Sequence, residues 1–143
     1  MCHTVFISTT SDEDFSEIES DDFGICQPRD ETDGEALQLL AYPHRWYLES
    51  QYGGCSCHFR HALAGAGFAP VEDWCPEDTD DIEATGHFYD LLQRVLAEGH
   101  QLDVVDLWNG AAEEEVRTID VELSTVPRDH FRFLNGFRLE LRP

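Results

Sequence analysis

Hydrophobic positions along this chain fall into several short runs of strand period and one long stripe of helical period. Val5-Phe6-Ile7 is a continuous apolar run and predicts a short buried first strand. Arg45-Trp46-Tyr47-Leu48-Glu49 predicts a second, leading through Gln51-Tyr52 to the pair Gly53-Gly54. From about Asp81 to Glu98, Ile82, Thr85, Phe88, Tyr89, Leu92, Val95 and Leu96 draw one apolar face of a helix. Asp80 with Glu83 supplies its start signal and Gly99 its stop. Leu102 to Trp108 predicts a central strand ending in an Asn109-Gly110 turn, with Asp103 and Asp106 on opposite faces. Ile119, Val121 and Leu123 alternate with polar residues as in a half-buried strand. Ser124-Thr125-Val126-Pro127 then predicts a short helix ending at Asn135-Gly136. In the last strand Phe137, Leu139 and Leu141 point inward, so Arg138 and Arg142 face Asp120 and Glu122 if the two final strands are neighbours.

These elements sum to an α+β domain, with mixed α/β as the alternative: about six strands in one sheet, one long helix over about 81–98 and one or two short helices. Strand order stays open, and the Ile119-to-Leu141 unit fits a parallel crossover. A length of 143 residues suits a single domain that buries a core without disulfide staples. The segment 34–42 reads as a helical turn or strand that Pro43 ends. Between Asp12 and Glu35 lie eleven acids and one base, Arg29, which reads as a mobile acidic loop over about 11–35 ordered only around Phe23, Ile25 and Cys26. Within it, Ser11 to Asp14 can cap a brief helix carrying Phe15 and Ile18.

The charge balance narrows the choice of partners. Thirty acids stand against nine bases, all arginine, for a net charge of −21. Such a surface repels nucleic acid and anionic membranes. It reads as a solvated acidic surface from a composition bias, as a docking face for a basic protein partner, or as the surface of an inhibitor of a nucleic-acid-binding protein. No acidic spacing matches an EF-hand. No apolar run approaches the ~18 residues of a membrane helix, and no basic leader precedes the first strand. Five cysteines, an odd number without an export signal, are expected as reduced thiols in a cytoplasm.

Chemistry concentrates in Cys55-Ser56-Cys57-His58-Phe59-Arg60-His61. No phosphate loop, dinucleotide fingerprint, nucleophile elbow or HExxH helix occurs, so no reaction class is announced. If the stretch is extended, Cys55, Cys57 and His61 share a face, and the two sulfurs with His58 or His61 form half a site for a thiophilic metal such as zinc. Cys2, His3 or Cys75 are the additional ligands the chain offers. If a helix instead begins at Ser56, Cys57 lies in its first turn, where the dipole and Arg60 favour a reactive thiolate with Cys55 as resolving partner. The plain alternative is that both cysteines fill apolar space. Asp103 or Asp106 can serve as base or metal ligand if either points into a cleft.

The opening Met1-Cys2-His3-Thr4-Val5-Phe6-Ile7-Ser8-Thr9-Thr10-Ser11, with Cys55-Ser56-Cys57-His58-Phe59-Arg60-His61 and the Trp74-to-Leu107 segment, resembles a group of small uncharacterised bacterial proteins. The resemblance implies a bacterial cytoplasmic source and carries no activity, cofactor or fold.

Overall fold

The computed structural model describes residues 2–62, 67–108 and 115–143. In chain order its elements are β1 (His3–Thr9), β2 (Phe23–Cys26), α1 (Asp30–Leu37), β3 (His44–Ser50), β4 (His61–Ala62), α2 (Thr79–Ala97), β5 (Leu102–Trp108), β6 (Arg117–Glu122), β7 (Phe133–Leu134) and β8 (Phe137–Arg142), with 3-10 turns at Phe15–Glu17 and Leu123–Thr125. The fold is α+β. Six strands form one mixed sheet in the order β2-β3-β1-β5-β8-β6, and β4 and β7 make a second, two-stranded sheet. Only β6 and β8 run parallel within the large sheet, as a crossover from β6 to its neighbour requires.

Alternation of side chains across the sheet builds two cores. Val5, Ile7, Trp46, Leu48, Leu102, Val104, Leu139 and Leu141 face the stripe of α2, which adds Phe88, Leu92, Val95 and Leu96. Each such side chain contributes about 1.5–3 kcal/mol through burial. On the reverse face Phe6, Tyr47, Val105 and Leu107 pack against Ala36 and Leu40. Asp103 and Asp106 do project to opposite faces. Asp103 is buried beside α1, held by Ser8, by the Ala41 amide and by Arg138 Nε at 2.7 Å, which leaves it a structural counter-ion.

The long helix begins two residues before the expected start, because the Asp78 carboxylate accepts the Asp80 N–H at 2.8 Å. Gly99, at φ +90°, ends it as expected, with its N–H on the Leu96 carbonyl. The helix expected from Ser124 to Asn135 is absent. A single 3-10 turn stands there, and it ends at Val126, whose backbone is extended at φ −104° and ψ 112°. Phe133 and Leu134 instead form β7 beside β4. A hairpin between the Arg45–Glu49 strand and the cysteine segment is absent too, since β3 already has β2 on one edge and β1 on the other. Arg142 reaches Asp120 at 3.4 Å, whereas Arg138 turns to Asp103 and Glu140.

The acidic segment 11–35, expected as a mobile loop, carries a 3-10 turn, β2 and the start of α1. Phe15, Phe23 and Ile25 are all buried in the α2-side core, and Asp33 accepts the Arg29 N–H at 2.6 Å across the first turn of α1. The Asn109-Gly110 turn and most of the acidic run Glu113-Glu114-Glu115 lie outside the described residues. No described helix is long and apolar enough to cross a membrane.

Candidate functional site

The site lies where the start of β1 meets the end of β5, under the loop that leaves β3. Gly53 and Gly54 adopt φ of 77° and 79°, left-handed backbone open to glycine at no steric cost. They turn the chain back so that the Ser50 N–H reaches the Cys55 carbonyl at 2.7 Å and the Tyr47 hydroxyl the Gly54 carbonyl at 3.1 Å. Ser56, with no solvent contact, then clamps the loop down. Its N–H donates to the His3 carbonyl at 3.0 Å. Its hydroxyl accepts the Val5 N–H at 2.9 Å and donates to the Leu48 carbonyl at 2.5 Å.

With Ser56 fixed to β1 and β3, the residues on either side of it come to rest against the residue that precedes β1. The sulfurs of Cys2, Cys55 and Cys57 lie within 4.8 Å of one another, all three half-buried. Burial raises the Cys55 thiol, but hydrogen bonds from the Cys57 side chain, the Cys57 amide and the Cys2 side chain outweigh it and hold Cys55 below the usual thiol range. Cys57 goes the other way, to about 12, pushed up by burial and by sharing its proton with Cys55. A helix start at Ser56 does not exist here, so the dipole expected to activate Cys57 is missing.

A second group lies alongside, joined to the first through the Cys2-His3 peptide and through Ser56, whose N–H donates to the His3 carbonyl. Within it, His3, His61 and Asp106 place ligand-type atoms within 4.8 Å of one another. Asp106, 1% exposed, faces the α2 side of β5. Its two oxygens approach His3 Nδ1 at 3.3 Å and His61 Nδ1 at 2.7 Å. The two imidazoles stack with centroids 3.7 Å apart and an interplanar angle of 14°, and Trp108 meets His3 edge-on. Burial opposes ionisation of Asp106, but the hydrogen bonds of His3 and His61 prevail and keep its carboxyl below the usual range.

The thiols and imidazoles that the sequence ran together are thus sorted into two sets. His61 leaves the cysteines for Asp106. His58 is half exposed, 3.7 Å from Asp81 and edge-on to Tyr52. Cys75 lies exposed on a turn closed by the Cys75 N–H on the Glu72 carbonyl, apart from the cluster. Cys26, also apart, is pushed up to about 11 by burial and by the Glu49 charge. None of the five cysteines is in a disulfide.

Sequence reasoning missed Ser56 and Arg60 as the residues that position the site. Arg60, 2% exposed, bonds both Glu77 oxygens at 2.9 Å and the carbonyls of Ala69, Asp129 and Phe131. The available signal was a lone arginine between Phe59 and an apolar stretch, where a buried charge demands partners.

No family model, curated protein or solved structure matches this chain.

Proposed function

We propose that the protein binds a thiophilic divalent cation, zinc foremost, through the sulfurs of Cys2, Cys55 and Cys57. The observation that carries this reading is the gathering of three sulfurs within 4.8 Å from two parts of the chain more than fifty positions apart. Tetrahedral ligation with bonds near 2.3 Å sets sulfur-to-sulfur distances of about 3.8 Å, so the cluster needs a contraction of at most about 1 Å to close on an ion. Three adjacent thiols resist losing all their protons together, as the rise of Cys57 to about 12 expresses. A bound dication supplies the charge that reverses this resistance. A three-sulfur shell leaves the fourth corner of the tetrahedron to solvent or to an incoming ligand, the arrangement that permits a Lewis-acid role.

Metal analysis of protein purified without a histidine tag and reconstituted with zinc tests the reading, beside the Cys55→Ser/Cys57→Ser double variant. The expected result is one sulfur-bound equivalent in the wild type that the double variant lacks, with Cys2→Ser weakening it at least ~10-fold. The same zinc content in wild type and double variant contradicts the reading.

A further inference from the structure

We infer that His3, His61 and Asp106 form a second cation site, separate from the sulfurs, that takes a first-row divalent metal through nitrogen and oxygen. The inference goes beyond the sulfur site and stands whether or not that site holds an ion.

Ligand atoms of His3, His61 and Asp106, one from each, lie within 4.8 Å of one another. His61 Nε2 lies 2.6 Å from the Ser56 carbonyl oxygen, which can only accept, so Nε2 carries the hydrogen. Its Nδ1 lies 2.7 Å from Asp106 Oδ2, a hydrogen-bond separation, so one proton lies between the two atoms in the place a cation would take. His3 Nδ1 lies 3.3 Å from the other carboxylate oxygen, and the Asn135 side-chain amide nitrogen is 3.5 Å from that same His3 atom. Two ring nitrogens therefore converge on one nearly sealed carboxylate. A divalent cation there replaces the shared proton and meets the charge of the nearly sealed Asp106 carboxylate.

The surroundings are those of ligands already oriented. Near-parallel stacking at 3.7 Å turns both Nδ1 edges toward the same carboxylate. Fixing an imidazole by an N–H to a backbone carbonyl is how proteins commonly set the tautomer of a metal-binding histidine, and Ser56 does this for His61. Asp106 is nearly sealed from solvent, so its charge must be met by a neighbour, and the groups facing it here are the two rings. Two imidazoles and one carboxylate with no thiolate select zinc, iron(II), cobalt(II) or nickel(II) over soft monovalent copper. The competing occupant of the same place is a single proton, which would turn His61 into an imidazolium paired with Asp106.

Cobalt(II) titration separates these cases, because nitrogen-oxygen and thiolate sites differ in visible and near-ultraviolet absorption. The expected result is that Asp106→Asn binds one cobalt fewer per chain than the wild type while any thiolate charge-transfer band is retained. In the Cys55→Ser/Cys57→Ser variant the Asp106-dependent cobalt remains and its spectrum lacks that band. An unchanged stoichiometry in Asp106→Asn overturns the inference. A control that needs no variant is nitrogen NMR of histidine-labelled wild type: zinc should shift Nδ1 of His3 and His61 while His61 Nε2 keeps its proton. Nδ1 signals unmoved at saturating zinc would mean that a proton holds the place, and the site would be refuted. Loss of the thiolate band in wild type alone, with the Asp106-dependent cobalt intact, would reject the sulfur reading and leave this one standing.

Discussion

Ser56 has its amide on the His3 carbonyl and its hydroxyl between the Val5 amide and the Leu48 carbonyl, in a position closed to solvent. Replacing it with alanine leaves the Val5 N–H and the Leu48 carbonyl without that partner, and a buried unsatisfied group costs about 1–3 kcal/mol. Ser56→Ala is therefore expected to lose roughly that much stability in urea unfolding and, by loosening the loop, to weaken zinc binding. Unchanged stability and affinity would show that the clamp does not position the sulfurs. Nothing in the residue itself marks this role, since serine between two cysteines reads as a spacer. The cysteines were legible because two thiols one residue apart are a strong local signal, and Cys2 stood among the named candidates. The partition of His61 to Asp106 was not legible: it depends on the pairing of β4 with β7, whose following residue Asn135 bridges to Asp106 on β5.

Between elements, the buried guanidinium of Arg60 fastens the end of the site segment to the approach to α2 and to the 129–131 turn. Arg60→Met removes a charge that Glu77 and three carbonyls are arranged to meet, and a loss of about 3 kcal/mol is expected, as for other broken buried pairs. The pH dependence follows from Glu77, whose carboxyl is held below the usual range by the hydrogen bonds of Arg60. A carboxyl with a lower value in the folded state binds fewer protons there than in the unfolded chain. Its contribution is complete above the unfolded value of about 4.3 and drains away as pH falls through the folded one. Glu77→Gln should flatten the acid limb of the stability curve below about pH 4, and an unchanged limb would contradict the role. At this scale the alternating patterns of β6 and β8 and the stripe of α2 were readable because each buries one face at a fixed period, and β5 was readable as an apolar run because both its faces are buried. The 124–135 segment was not, because Phe133 and Leu134 pair as β7 with β4, a partner about seventy positions earlier in the chain.

Across the whole molecule, a net charge of −21 sets a field that draws cations and repels polyanions. Composition predicts that field but gives it no address. The fold supplies one: the central strand of a six-stranded sheet delivers Cys2 and His3 at its beginning, and a glycine turn brings back Cys55 and Cys57 beside them. The claim on which this account depends is that the three sulfurs act together on one ion. X-ray absorption at the zinc edge of the Asp106→Asn protein, in which the nitrogen-oxygen site is removed, reads that shell directly. Three sulfur scatterers at about 2.3 Å with one lighter atom are predicted. A shell of nitrogen and oxygen alone would contradict it.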